Sequence, residues 1–404
     1  MGQYNGVVKK IGVASGPGGT GKSTFVCNLA VELLRHPNSY VFIIDADPTS
    51  EPYFAFGQTE EKFNRSAAGL YNVLNNIDKR KYVQKHKKYY VRDVLASISF
   101  KPTAENRLTI IPGLSSNDYV VRDVAAQKHQ KIRKCIDAIS YYMAEELASE
   151  DVFFIVNIGA GENKRSYIDY FNWCDERILV TTQDLAVLPR TYKMMKKAFW
   201  SYAEDELFDK FFKKAYDRKE IRNLFDSCTD ADNLRIKMND MDKKHPHLNG
   251  GCLTALENSF SAYKPKIVVN RVEDLSLAER WTKKIIIKMA EKDLGFSPKL
   301  FAAIANDPRF GQCANMQTQY SILFFDKPPA HIYRKIANYY SGVPVGNTSV
   351  LPLQFDDAIR IKNDATRGLA AFIARQTYNV MDFARNAAAE LIKLRTADDS
   401  AISD

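Results

Sequence analysis

Ser15-Gly16-Pro17-Gly18-Gly19-Thr20-Gly21-Lys22-Ser23-Thr24 is the stretch from which the fold of this chain can be read. An apolar run (Val7, Val8, Ile11, Val13) precedes it, and Phe25, Val26, Leu29, Ala30, Leu33 and Leu34 follow at helical spacing. The pattern predicts a strand, a glycine turn and a helix in that order. Gly16, Gly21, Lys22 and Ser23 spell G-x-x-x-x-G-K-S. Glycines let the backbone curl until several N–H groups face one point, and the helix N-terminus behind them adds partial positive charge. Residues 18–24 (Gly18, Gly19, Thr20, Gly21, Lys22, Ser23, Thr24) are therefore the expected phosphate cradle. Lys22 would reach the β- and γ-phosphates and the Ser23 hydroxyl would ligate Mg²⁺. The competing reading is a glycine turn that binds nothing.

A second segment narrows the chemistry. Phe42-Ile43-Ile44-Asp45-Ala46-Asp47-Pro48 reads as a buried strand with two carboxylates at its carboxyl end, the edge where open α/β sheets bind ligands. Asp45 and Asp47 there suit a cation held through water and a positioned attacking water, although carboxylates at a strand end can also simply cap a turn. A third segment, Asp151-Val152-Phe153-Phe154-Ile155-Val156-Asn157-Ile158-Gly159-Ala160-Gly161, has the form of a strand entering a glycine turn. Asn157 stands where an acid is usual in such a strand, and its amide can hydrogen-bond a metal-bound water without contributing charge.

Further apolar runs at Leu108–Pro112, Ile178–Thr181, Ile267–Val269 and Leu300–Ile304 alternate with helical lengths, among them Ala67–Leu74 and Val121–Leu147. Apolar strands separated by helices predict an α/β fold with a predominantly parallel sheet covered on both faces. Residues 201–264, rich in Lys, Asp and Phe, are expected to form a helical insertion on a domain spanning 1–340. A Gly/Pro-rich linker at 341–355 and a helical tail at 356–404 follow. In the tail Ile373, Thr377, Val380, Ala384, Ala387, Leu391 and Leu394 share one stripe, suited to docking on the core, helix pairing or a membrane surface.

The chain has 404 residues, 57 basic against 48 acidic, and a net charge of +9. Residues 79–92 carry Lys79, Arg80, Lys81, Lys85, Lys87, Lys88 and Arg92 with no acid, a segment for DNA or an anionic membrane surface, or an ordinary solvated face. No apolar run is long enough to span a bilayer and the N-terminus has no signal-peptide core, so a cytoplasmic protein is expected, with peripheral contact to membrane or nucleoid open. The six cysteines lack paired spacing, which speaks for reduced thiols rather than a metal or disulfide framework.

Taken together, the glycine loop, the IIDADP segment, the NIGAG segment, residues 174–182 (CDERILVTT), residues 268–272 (VVNRV) and Leu294-Gly295-Phe296 resemble the MinD/ParA family of P-loop ATPases. Within that family they are most like the MinD-like flagellar-number regulators (FlhG). The resemblance spans roughly residues 7–340, in the family's motif order. It implies an ATP-dependent switch: an ATP and Mg²⁺ site, a nucleotide-dependent homodimer, hydrolysis that separates it, and a protein partner that reads its state in organising a cellular structure. By motif, Lys22 and Asp47 would be catalytic, Asp47 ordering the lytic water. Ser23 and Asp45 would serve the metal. Asn270 and Arg271 would contact or flank adenine, with the Asn306-Asp307-Pro308 turn closing that pocket, while Asn270 also reads as a polar end to a buried strand. Two departures stand out. The family's loop carries a first lysine that reaches the partner's nucleotide, and here that position is Pro17; the second is Asn157. Both point towards slow hydrolysis or a non-hydrolysing nucleotide-binding scaffold. Lys9, Lys10, Lys164 and Arg165 are the candidate replacement cations. A DNA-associating partition ATPase using the 79–92 segment is the other reading.

Overall fold

The computed structural model describes residues 6–36, 38–47, 107–111, 137, 140, 150–161, 165–208, 218–244, 251–315 and 319–342. The Ala67–Leu74 helix, the 79–92 segment, most of Val121–Leu147, Lys164 and the tail lie outside them, as does the linker beyond Gly342. The chain divides into two units, Met1–Leu353 and Gln354–Asp404, and every described residue belongs to the first.

Seven strands form one sheet: β1 (Val8–Ala14), β2 (Ser39–Ala46), β3 (Leu108–Ile111), β4 (Asp151–Ile158), β5 (Glu176–Thr182), β6 (Lys266–Val272) and β7 (Lys299–Ala305). Their order is β3-β2-β4-β1-β5-β6-β7 and every pairing is parallel. The expected parallel α/β architecture is thus the observed one. All eight residues of β4 are buried, which its unbroken apolar run requires of a strand covered on both faces.

The two faces carry separate cores. Phe42, Ile44, Val152, Phe154 and Val156 face α2 (Arg165–Trp173) and α3 (Leu188–Leu207) in one cluster, where the rings of Phe42 and Phe154 stack at 4.8 Å. Ile11, Val13, Val41, Ile43, Phe153 and Ile155 face the other way, onto α1 (Lys22–Leu34) and α11 (Pro328–Tyr340). Each buried Phe, Ile or Leu contributes about 1.5–3 kcal/mol, so the alternation along each strand fixes its register. Phe25, Val26, Leu29, Ala30 and Leu33 are fully buried, as their helical spacing predicts.

The 201–264 region is mostly helical where described, with a turn at 227–230. Ser201 lies inside α3, and beyond it come α4 (Arg218–Asp226), α5 (Ala231–Lys244) and α6 (Gly251–Ala262). These pack on the first core through Ile221, Phe225, Leu234, Leu256 and Phe260. After β6, α7 (Leu275–Thr282) is capped by Asp274, whose carboxylate accepts from the Leu277 N–H at 2.9 Å. The helix passes through a π-turn at Lys283–Ile287 into α8 (Lys288–Leu294), which Gly295 ends at φ 71°. Short helices α9 (Arg309–Asn315) and α10 (Tyr320–Leu323) follow β7 and lead into α11. The five described cysteines, Cys27, Cys174, Cys228, Cys252 and Cys313, are free and buried, and burial pushes the Cys313 thiol up to about 11.

From β1 the chain crosses β4 to reach β2, and from β4 it crosses β1 to reach β5. The connections diverge between β1 and β4, so a crevice opens outside the carboxyl ends of these two neighbours. The glycine loop follows one of them and the NIGAG turn the other.

Candidate nucleotide site

Between β1 and α1 the loop turns on left-handed glycines, Gly19 at φ 78° and Gly21 at φ 81°. A side chain is barred at Gly21 a second time, because its Cβ would stand 2.3 Å from Asn270 Nδ2. The Ser15 hydroxyl donates to the Pro17 carbonyl at 2.8 Å, and Gly161 N–H to the Ser15 carbonyl at 3.4 Å, tying the loop to the NIGAG turn. The first helical bond runs from Phe25 N–H to the Gly21 carbonyl, leaving the N–H groups of Lys22, Ser23 and Thr24 without an acceptor inside the helix. Gly18 and Gly19 are exposed, and a Cβ on Gly19 would meet nothing within 4 Å. Thr20 Oγ1 is buried and has no hydrogen-bond partner. An open glycine cup, the N–H groups of the first helical turn and one unsatisfied buried hydroxyl together fit a phosphate chain.

At the foot of the cup lies a buried polar cluster. The Lys22 ammonium donates to Asp47 Oδ2 at 2.8 Å and to Asn157 Oδ1 at 3.3 Å. The Asn157 amide in turn donates to Asp45 Oδ1 at 2.9 Å and to the Ser23 hydroxyl at 3.4 Å, and the Asp47 N–H donates to Asp45 Oδ1 at 3.2 Å. Strand register assembles this set: Asp45 of β2 lies opposite Asn157 of β4, which lies opposite Val13 of β1 just before the loop. Lys22, Asp45, Asp47 and Asn157 are each at most 6% exposed. Burial pushes the Asp45 carboxyl well above the ordinary carboxylate range and the Asp47 charge adds to it, while the Asn157 amide and the Lys22 ammonium pull the other way.

Four expected site residues thus converge, Lys22, Ser23, Asp45 and Asp47, and Asn157 connects them. Ser23 and Asp45 both accept from the same Asn157 amide, which brings their oxygens to one side of the loop. Among the described residues no group of three or more His, Cys, Asp or Glu could hold a metal by itself. Thr24 is exposed on the first turn of α1.

The two residues expected to contact or flank adenine are placed differently from each other. Asn270 is buried and its amide donates to the Thr20 carbonyl at 2.8 Å, so it fastens the loop. A bulge between Val269 and Val272 against β7 produces this, with Arg271 exposed and in the left-handed region at φ 55°. A non-glycine residue held there is strained, a condition that clusters at ligand sites. Beside it, Asn306 donates to Glu273 at 3.4 Å, and Asp307 accepts from the Tyr320 hydroxyl at 2.7 Å.

Three of the candidate replacement cations are committed elsewhere. Lys9 donates to the Tyr340 carbonyl at 3.2 Å and Lys10 to Asp137 at 2.9 Å, both from the half of β1 remote from the loop. Arg165 pairs with Asp169 at 3.0 Å. The sequence shows that the Asn157 amide can hydrogen-bond but not that it bridges Lys22, Ser23 and Asp45, because that depends on how β4 pairs with β2.

Similar folds occur among solved structures. One is the MinC:MinD cell division protein complex of Aquifex aeolicus (13% identity, 84% of this chain and 97% of that chain covered, TM-score 0.48). A ParA family ATPase from Chlorobium tepidum TLS is another (16%, 81% and 98%, TM-score 0.49). A third is the septum site-determining protein MinD complexed with Mg-ADP from Pyrococcus horikoshii OT3 (17%, 83% and 96%, TM-score 0.46). No curated protein matches the sequence. The model of the CobQ/CobB/MinD/ParA nucleotide binding domain matches residues 11–308, and the chain belongs to that family.

Proposed function

We propose that the chain is an ATP-binding switch of the MinD/ParA type, with slow or partner-stimulated hydrolysis, that acts in organising a cellular structure. The observation that carries this reading is the buried Lys22–Asp47 pair at the foot of an open glycine cup, 2.8 Å apart. A buried ion pair costs several kcal/mol in desolvation, and breaking one without replacement costs about 3–5 kcal/mol. A triphosphate offers Lys22 a replacement partner of the same sign as Asp47. In this reading Lys22 exchanges Asp47 for phosphate, and Asp47, released, orients water. Gly18, Gly19, Thr20, Gly21 and the first turn of α1 through Thr24 supply N–H donors, and Thr20 Oγ1 gains the partner it lacks. Ser23 and Asp45 would hold Mg²⁺, which supplies charge neutralisation across the β- and γ-phosphates. Asn270 keeps the loop in shape and Arg271 flanks the base.

We propose further that the chain is of the flagellar-number-regulator subtype, forms a nucleotide-dependent homodimer read by a protein partner, has a switch domain at 1–340 with the 356–404 tail as a separate element, and acts in the cytoplasm. Among the described residues no helix is long and apolar enough to cross a membrane. A second reading, a non-hydrolysing nucleotide-binding scaffold, is favoured by one observation: Asn157 satisfies Lys22, Ser23 and Asp45 without bringing a charge.

Thermal unfolding with and without Mg-ATP tests the switch. A ligand at a hundred times its Kd stabilises a fold by about 2.7 kcal/mol, so the wild type should melt higher with Mg-ATP. Lys22→Ala should lose that shift. An unchanged shift in the variant refutes the role given to Lys22, and phosphate release in a single turnover separates the ATPase from the scaffold.

A further inference from the structure

We infer that the outward side of α7 and α8 is a docking surface for an acidic, amphipathic segment of a partner protein. This surface rests on the proposal above that a protein partner reads the switch, and it gives that partner's chemistry.

Geometry comes first. Ala278, Thr282, Ile286, Ala290 and Leu294 are buried and follow one another every fourth residue. On a regular α-helix that spacing drifts by about 40° per step, so the five would not stay on one face. The wider π-turn at Lys283–Ile287 takes up part of the drift. The same winding keeps the neighbouring columns together. Leu277, Trp281, Ile285 and Met289 form one, and Arg280, Lys284, Lys288 and Lys292 form another. All four cations are exposed, on the side opposite the buried column, and the apolar column lies between the two. Trp281 and Ile285 each pack partly on the first core, while Leu277 is 37% and Met289 39% exposed. Asp293, at the end of the apolar column, accepts from the Tyr192 hydroxyl at 2.5 Å and pairs with Lys196 at 3.7 Å, so that column is turned towards α3.

Charge comes second. Among the described residues no carboxylate pairs with Arg280, Lys284, Lys288 or Lys292. The acids of this helix stand in other columns: Glu279 pairs with Lys283, and Glu291 follows them on the same side. Arg280 and Lys284 lie 5.3 and 5.5 Å from the Trp281 ring centre, so two of the four cations are already set beside the apolar column. A strip of cations next to a strip of apolar side chains, about 23 Å long, complements a segment with acids on one side and apolar residues on the next. The order of the columns selects among anionic partners. A flat bilayer would meet the cations before the apolar column, and a nucleic-acid backbone would leave that column unused. A protein segment lying in the shoulder between this helix and α3 engages both. Leu185, 52% exposed, stands at the α7 end of the shoulder, because the Gln183 side-chain carbonyl in its loop accepts from the Glu273 and Asp274 N–H groups at 3.2 and 3.3 Å.

The test selects binders to the full chain from a random phage-displayed library of peptides about 16 residues long, the span of the strip. The surface should enrich peptides of net negative charge with apolar residues on one side, and these should slow hydrogen exchange at residues 277–292. Arg280→Glu combined with Lys284→Glu and Lys288→Glu should weaken them about 10–100-fold, which is about 1.4–2.8 kcal/mol, and Leu277→Ser with Met289→Ser about tenfold. The substituted side chains are all exposed, so both variants should melt as the wild type does. No enrichment, peptides without net negative charge, protection elsewhere, or affinities that both variants leave unchanged overturn the inference. Vesicles of phosphatidylcholine with phosphatidylglycerol and a short DNA duplex are the competing occupants. Retention of the wild type, but not of the charge-reversal variant, on either one overturns the inference in favour of that surface. The Mg-ATP melting shift is measured on the same samples. Its absence from the wild type removes the nucleotide-binding reading and leaves this surface to the peptide result, so the two failures are told apart.

Discussion

Replacing Asn157 with Asp changes one atom in the most crowded part of the site. The amide nitrogen that donates to Asp45 Oδ1 at 2.9 Å becomes a carboxylate oxygen of similar size. Packing is nearly unchanged, so the effect is electrostatic. Two unit charges about 3 Å apart at an effective dielectric of about 20 repel by about 5–6 kcal/mol. Lys22, already on Asp47 and 3.3 Å from Asn157 Oδ1, returns part of this by gaining a second anionic acceptor. The site also has a way out. Burial already holds the Asp45 carboxyl well above its usual range, so it can keep a proton and donate to the new carboxylate. The cost is then that of carrying the proton, about 1.4 kcal/mol for each pH unit above the group's pKa. The net expectation is a loss of about 2–4 kcal/mol at about pH 8, shrinking towards acid. The sign follows from proton binding. A carboxyl whose folded pKa lies above its unfolded one binds more protons when folded. Its contribution is full below the unfolded value and is lost as pH rises through the folded value. Urea unfolding at about pH 6 and about pH 8 measures this directly, and repeating it with Mg²⁺ asks whether a divalent cation relieves the repulsion. Stability equal to wild type at the higher pH, or a loss of the same size at both, would show that the Asn157 amide does not hold the two acids apart.

Two further substitutions and one titration follow from the same contacts. Asn270→Ala removes the buried bond to the Thr20 carbonyl, at an expected cost of about 1–2 kcal/mol in urea unfolding with weaker nucleotide binding; full affinity would mean the loop holds its shape unaided. Gly21→Ala meets both φ 81° and the Asn270 amide 2.3 Å from the new Cβ, and should cost more than Asn270→Ala in the same assay. Burial holds His36 and His331 below the ordinary imidazole range, with the Arg334 charge adding to it at His331. The folded state therefore binds fewer protons than the unfolded chain. Stability should be full above about pH 6.5 and fall as pH drops through the folded pKa values, and His36→Gln with His331→Gln should flatten that slope.

The sheet was legible because its strands are apolar on both faces. Phe42-Ile43-Ile44 and Val152–Val156 have no polar face to leave in water, and a covered parallel sheet is what such runs require. Lys22, Asp45 and Asp47 were legible because loop and strand-end chemistry is local in sequence. What was not legible is long-range. The bulge at Asn270–Arg271, which turns Asn270 onto the Thr20 carbonyl 250 residues away, has no local mark, since Val268-Val269-Asn270-Arg271-Val272 reads as an ordinary strand end. The contact of Gly16 with Arg190 is likewise a consequence of where α3 starts over β5, and nothing in the loop announces it. Composition alone also blurred the helical region. Residues 201–207 continue α3 without a break, because Ser201, Ala203, Glu204 and Leu207 keep the buried spacing of the helix before them.

The two departures of this chain from the family pattern have opposite signs, and that matters more than either alone. Pro17 takes away a cation that would face phosphate. Asn157 takes away an anion that would face a metal, and would also repel phosphate. For a bound triphosphate the protein's net charge is therefore nearly what the full pattern provides. What changes is its source. A site with an amide at residue 157 holds a divalent cation less strongly, because hard cations are held by charge as well as by ligand number. It gains in return a ligand-free state in which Lys22, Ser23, Asp45 and Asp47 are all hydrogen-bonded, with a bridging amide where a third carboxylate would be repelled.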